Sequence, residues 1–179
     1  MNPLPWPAMI FMSIEQTCGI KKIKVIIRQF QNGAVHLHAS PNRDALVCAT
    51  CGGNRFTRAG AVLRHFKSLP IGCKPVFLLI PVQRIFCHPC GKTRQARLHF
   101  ADPHRTYTHQ FERYALALSR HMTIKDVADH LGVGWDAVKD IQLRFLKRHF
   151  GKPSLWGLRT LAIDEISIGR GHRYLTVVL

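Results

Sequence analysis

Two short stretches of this sequence place cysteines at metal-ligand spacing. They are "CATCGG", with Cys48 and Cys51, and "CHPCGK", with Cys87 and Cys90. Both read C-x-x-C-G. Two intervening residues let both sulfurs of a pair reach one tetrahedral ion at about 2.3 Å, and two pairs complete a four-thiolate shell. Gly52 and Gly91, which follow the pairs, permit a tight positive-φ turn that would aim backbone N–H groups at the sulfurs. Four protein thiolates leave no open coordination position, so the ion is expected to be a structural Zn2+. The alternatives are a redox pair or plain core thiols. A thioredoxin-like redox site needs one motif on a βαβ frame, whereas this chain has two motifs and no such frame. His88, inside the second knuckle, is a weaker substitute ligand. Cys18 and Cys73 lack partners at ligand spacing and are expected to be ordinary buried thiols.

A different chemistry is suggested near the end, in "LAIDEISIGRGHRYLTVVL". Asp164 and Glu165 sit among alternating apolar residues, and Gly169-Arg170-Gly171 then leads into a second apolar run. The pattern predicts a β-hairpin carrying a carboxylate pair.

These groups must be positioned by recognisable elements. Residues 20 to 39 predict two strands around Gln31-Asn32-Gly33, a hairpin-type turn signal, and "SPNRD" at 40 to 44 predicts a loop. A basic stretch follows the first knuckle. "PVFLLIPVQRIF", 75 to 86, predicts a strand that Pro81 demotes to an edge or breaks in two. From about His109 the texture becomes helical, with helices predicted near 109–121, 124–131 and 135–149. The expected organisation is α+β and multi-module. It comprises an N-terminal extension at 1–19, a β-rich zinc-ribbon domain at 20–100, a three-helix unit at 101–150, and a linker plus hairpin at 151–179.

"TIKDVADHLGVGWDAVKDIQLRFLKRHF", 123 to 150, has the pattern of a helix-turn-helix. Thr123 caps the first helix through its side-chain oxygen. Val127, Ala128 and Leu131 form its apolar face, and Ala128 is small where two helices cross. Gly132 falls where the turn needs a left-handed residue, Val133 plugs the turn, and Val138, Ile141 and Phe145 carry the next apolar face. That next helix would enter a DNA major groove N-terminus first. Trp135, Asp136, Lys139 and Asp140 are its exposed early positions, with Trp135 equally able to serve as a core anchor. Arg144, Lys147 and Arg148 lie further along and suit phosphates. A helical hairpin that merely packs is the alternative.

The charge agrees with a polyanionic partner. Lys and Arg number 26 against 10 Asp and Glu, a net charge of +16, and only Glu15 and Asp44 precede residue 101. Such a cationic surface attracts double-stranded DNA by counterion release, so binding should weaken steeply with salt. No apolar run approaches the roughly 18 to 20 residues of a membrane span. "MNPLPWPAMIFM" has no positive n-region, and a cytoplasmic location, at the bacterial nucleoid when DNA-bound, is expected.

Two C-x-x-C-G knuckles, Leu69-Pro70 and Pro75-Val76 between them, the helix-turn-helix and "AIDEISIGRGHRYLTVVL" occur in that order. From about residue 15 onward the chain resembles the N-terminal part of insertion-sequence transposases of the ISL-three family. The resemblance implies that the zinc ribbon and helix-turn-helix bind terminal inverted repeats. It also implies an RNase H-like catalytic domain with a DDE carboxylate triad, in which Asp164 matches the first aspartate and Glu165 is only its neighbour. Two divalent ions, Mg2+ or Mn2+ in a complete enzyme, must be clamped by several carboxylates. No carboxylate side chain follows Glu165, so the expectation is a DNA-binding transposase fragment without strand-transfer activity of its own. Association with itself or with an intact transposase is a further expectation. Two other readings stay open: part of an active enzyme completed by a downstream or frameshifted reading frame, and a zinc-ribbon module for RNA or protein.

Overall fold

The computed structural model of the chain describes residue 20 and residues 23–42, 45–151, 156, 162–171 and 173–178. Cys18 and the rest of the N-terminal extension lie outside the described residues.

The chain enters the sheet through a tight hairpin. Asn32 and Gly33 both have positive φ, 51° and 75°, the backbone that a two-residue turn needs to match the twist of its strands. The turn joins β1 (Ile23–Gln31) to β2 (Ala34–Pro41), paired antiparallel. Two longer strands follow, β3 (Phe56–Ile71) and β4 (Lys74–Cys87), and then the short β5 (Lys92–Gln95). The sheet order is β1-β2-β4-β3, with β5 also on β4. β2 runs parallel to the first part of β4, and β3 and β5 run antiparallel to it.

β4 is therefore the central strand, which corrects the expectation that Pro81 makes it an edge or breaks it. On one side β4 pairs along nearly its whole length with β3, Pro81 lying opposite Leu63. On the other side β2 covers residues 76–79 and β5 covers residues 84–87. The Ala96 N–H reaches the Gln83 carbonyl on this second side, so Pro81, two residues earlier, directs its backbone the same way. It falls in the gap between β2 and β5, where no ladder donor is required. The Gln83 side chain donates to the Pro81 carbonyl at 3.5 Å.

β3 is the element that sequence patterning missed. Residues 57 to 63 are all exposed, so neither face imposes the apolar alternation that marks a half-buried strand. Cys73, expected to be buried, is exposed in the turn between β3 and β4.

One sheet face carries the main core. Leu37, Phe66, Val76, Leu78, Ile80 and Val82 are almost fully buried, and Phe100 with Ala101 packs over them. Phe66 and Phe100 meet edge to face, with ring centroids 5.0 Å apart. The chain then returns to β3. The Lys67 N–H donates to the Thr106 carbonyl at 2.8 Å, and the Thr108 N–H donates to the Lys67 carbonyl at 3.0 Å.

Three helices follow: α1 (His109–Leu118), α2 (Ile124–Leu131) and α3 (Trp135–Phe150). Phe111, Ala115, Val127, Ala128, Leu131, Val138 and Ile141 form their shared core. The chain divides into two compact units, Met1–Gln142 and Leu143–Leu179. The second contains an antiparallel hairpin, β6 (Ile163–Ser167) with β7 (Tyr174–Val178).

Phe66 is fully buried, and its truncation leaves a void beneath Phe100. Phe66→Ala should lower the unfolding free energy of the zinc-loaded chain by about 3–5 kcal/mol, measured by urea denaturation.

Candidate metal centre and nucleic-acid interface

The two knuckles come together because β4 ends where the first knuckle begins to fold back. Cys87 closes β4 and pairs with Phe56 of β3 and Lys92 of β5. Cys48 forms an isolated bridge with Ala96, and the Arg97 N–H reaches the Val47 carbonyl at 3.0 Å. All four sulfurs, from Cys48, Cys51, Cys87 and Cys90, lie within 4.8 Å of one another. The Cys48–Cys90 and Cys51–Cys87 separations are 3.9 and 3.6 Å. Four sulfurs placed tetrahedrally about 2.3 Å from a zinc ion are roughly 3.8 Å apart, so the donor set fits Zn2+. Cys48 and Cys87 are buried with Leu46, Ile85 and Ala96, which gives the sulfurs an apolar floor.

The glycines shape the knuckles as the spacing predicts, through tight positive-φ turns that aim backbone N–H groups at the sulfurs. Gly52 and Gly91 have φ of 70° and 63°, and their own N–H groups close the turns onto the Cys48 and Cys87 carbonyls at 3.0 and 2.8 Å. The Thr50 N–H donates to the Cys48 sulfur and the Gly53 N–H to the Cys51 sulfur, both at 3.4 Å. His88 is outside the sulfur cluster. Its Nε2 meets the Thr57 hydroxyl at 3.1 Å and its ring packs edge-on against Phe86.

Cys48, Cys87 and Cys90 are unequal as acids. Backbone N–H groups at Cys51 and Thr50 draw Cys48 down to about 6, which favours its thiolate form. Cys90 is pushed up to about 12 by its hydrogen bonding with Cys51, by burial and by its other sulfur neighbours. Cys87 is also raised: a backbone N–H at Cys90 pulls it down, but burial and the sulfurs of Cys51 and Cys48 outweigh that pull. An incoming cation must displace protons from Cys87 and Cys90, so metal affinity falls as the pH falls.

The helical unit has the local chemistry of a helix-turn-helix. Thr123 Oγ1 accepts the Asp126 N–H at 3.2 Å and caps α2. Gly132 is left-handed at φ 59° and ψ 50°. The Val133 N–H reaches back to the Ala128 carbonyl and the Gly132 N–H to Asp129, the paired closure of a Schellman turn. α3 buries Val138 and Ile141 and turns Trp135, Asp136 and Lys139 to solvent. Trp135 is 46 % exposed, so it is not a core anchor. Its ring lies 4.8 Å from the Lys139 ammonium, a cation–π pair that stiffens two side chains one turn apart. Asp140 is engaged by Arg105 at 2.6 Å. Arg144, half-buried, and Lys147 and Arg148, exposed, occupy the later turns of α3.

Asp164 lies exposed on β6, where its Oδ1 accepts the Glu165 N–H at 2.8 Å. Successive strand residues face opposite sides of a sheet, so Asp164 and Glu165 are not arranged to share one ion. Among the described residues, only the four cysteines form a cluster suited to holding a metal.

Spacing alone did not reveal Arg64, Lys67 and Arg105, which join the sheet to the helices. Arg64 donates to the Arg105 carbonyl at 2.8 Å, and Lys67 donates to the Gly132 carbonyl at 2.6 Å. Nothing in their local context distinguishes them from the other cations.

Two family models match the chain. Residues 44–90 match the zinc-finger of transposase IS204/IS1001/IS1096/IS1165, and residues 96–146 match the helix-turn-helix domain of transposase family ISL3. The chain is 27% identical over 143 residues to the transposase for insertion sequence element IS1001 of Bordetella parapertussis, covering 80% of this chain and 35% of the relative. It is 32% identical over 134 residues to the transposase for IS1557 of Mycobacterium tuberculosis, covering 74% and 30%. The chain thus spans about a third of the length of the curated relatives it matches. No solved structure matches it. No helix among the described residues is long and apolar enough to cross a membrane.

Cys48→Ser removes one wall of the sulfur cluster and a ligand whose thiol is held well below its ordinary pKa. The variant should lose stoichiometric zinc by metal analysis, and its sheet should melt at markedly lower temperature. Retention of both zinc and melting temperature would show that the ion is not held by this cluster.

Proposed function

We propose that this chain, whose zinc-ribbon and helix-turn-helix domains are those of the ISL3 transposase family, binds duplex DNA at insertion-sequence terminal inverted repeats. The observation that carries the reading is the outer edge of α3. Trp135, Asp136 and Lys139 face solvent in its first two turns while Val138 and Ile141 anchor the opposite side. A recognition helix presents its N-terminal residues to base edges in this way. Lys139 is the proposed base or backbone donor, Trp135 its rigid support, and Asp136 an acceptor for a base amino group. Arg144, Lys147 and Arg148 are the proposed phosphate contacts. Residues 45 to 100 add nine Lys and Arg and no Asp or Glu, which favours a nucleic acid over an uncharged protein surface as the partner.

The zinc ion is structural in this reading. It holds the ribbon in shape, and the cysteines do no chemistry on the nucleic acid. Hairpin β6–β7 is proposed as the opening of an RNase H-like domain, with Asp164 at the position of the first triad carboxylate. Strand transfer needs two divalent ions clamped by several carboxylates, so DNA binding is the activity proposed for these 179 residues by themselves. A cytoplasmic, nucleoid-associated location and association with itself or with an intact transposase accompany this reading.

Fluorescence anisotropy against a duplex carrying the element's inverted repeat and against random duplex tests it. Affinity should fall steeply with salt on both, with a clear preference for the repeat at moderate salt. Lys139→Ala should weaken repeat binding by about tenfold or more, the scale of a lost base contact. Equal affinity of the unaltered chain for both duplexes, or unchanged binding by the variant, would remove α3 as the reader.

A further inference from the structure

By charge alone, every Lys and Arg of the ribbon belongs to a DNA footprint. At the junction of sheet and helices the cations have other partners. The Lys67 ammonium donates to the Gly132 carbonyl at 2.6 Å and lies 5.6 Å from the centre of the Phe77 ring. Gly132 terminates α2 within the turn of the helix-turn-helix, where helix carbonyls carry partial negative charge. Arg64 donates to the Arg105 carbonyl, and the Arg105 guanidinium pairs with Asp140 at 2.6 Å in the second turn of α3. The Thr106 and Thr108 backbone bonds to Lys67 continue the same seam. One strand, β3, is thereby attached both to the turn and to the recognition helix.

We infer that Lys67 and Arg105 are positioning residues: they set the orientation of α3 on the sheet, and through it DNA specificity, without themselves gripping phosphate. The inference rests on the DNA-binding reading above. Asp140 follows Lys139 directly, so a rotation of α3 that parts Asp140 from Arg105 also moves Lys139 and Trp135. It moves them relative to the exposed ribbon cations Arg55, Arg58, Lys92 and Arg94. The Arg105–Asp140 pair is 36 % and 41 % exposed, and ion pairs of that kind add little stability. Their geometric effect is larger here because Asp140 sits on a helix anchored by Val138 and Ile141, while Arg105 sits in a loop that the Arg64 and Lys67–Thr106 hydrogen bonds pin to β3.

The test uses the full zinc-loaded chain, with Lys67→Met, Arg105→Ala, Arg105→Asp, Asp140→Arg and the Arg105→Asp/Asp140→Arg swap. Affinities are measured on inverted-repeat and random duplex across a salt series. Lys67→Met and Arg105→Ala should each lower the ratio of specific to random affinity by about tenfold, the scale of one misread base pair. On random duplex the slope of log affinity against log salt should stay unchanged, whereas a lost phosphate contact lowers it by about 0.9. The swap should recover most of the ratio lost by either single reversal.

An unchanged ratio in both variants, a slope loss of about 0.9, or a swap no better than its single components would overturn the positioning role. Zinc content and helical circular dichroism should match the parent chain; their loss would make the link a stability element and overturn the role as well. A parent chain without preference for the repeat would remove the DNA-recognition reading itself, whereas a parent preference that survives in both variants removes only the positioning role.

Discussion

From Thr57 to Leu63, β3 has no core beneath it; every side chain in that stretch is exposed. Burial of apolar surface, the main force that holds strands in place, is therefore absent over seven of the sixteen residues of the longest strand in the sheet. What holds this part is the ladder to β4 and the four-cysteine cluster at its outer end. The cluster joins the segment before β3 to the turn after β4, so it closes the ribbon where hydrophobic packing cannot. The small apolar group around Leu46, Ile85 and Ala96 supports the sulfurs but is too small to replace them. A structural metal is the usual solution for a domain whose core is insufficient, and the rest of the sheet is organised around that fixed end.

From this clamp, order passes along β3 to the helices. The same strand that is bare near Arg58 becomes buried at Phe66 and Ser68. At Lys67 it takes up the returning chain as an additional partner. The ribbon and the first part of the helix-turn-helix consequently belong to one compact unit. Positive charge is divided between two uses along this route. Lys67, Arg64 and Arg105 are turned inward to carbonyls and to Asp140, while Lys139, Arg58 and Lys92 stay on the surface. Net charge counts both groups alike; only the first is tied to the carbonyls and the carboxylate that join sheet to helices.

Much of the metal site and the helical unit was legible in the residues because local geometry governs them. C-x-x-C-G brings two sulfurs together within one turn, and the Gly132 position follows from the left-handed closure of a helix. Thr123 as a cap, the three helices and the Asn32-Gly33 hairpin follow from equally short-range rules. β3 escaped because an exposed strand leaves no alternation to read. The central place of β4 escaped because Pro81 argues against it locally, and the gap between β2 and β5 that accommodates a proline exists only once both partners have docked. Cys73 was misplaced for a similar reason: an isolated cysteine gives no sign of whether it will lie in a core or at a hairpin tip.

The sequence by itself determined the ligand set, the helix-turn-helix and the cationic character of this protein, since each rests on residue type and spacing of a few positions. Tertiary structure alone decided which strand is central and which cations are consumed in joining sheet to helix. Those links connect residues 35, 41 and 65 positions apart. At such separations no periodicity constrains the pairing; it is set by how two surfaces meet after each has folded.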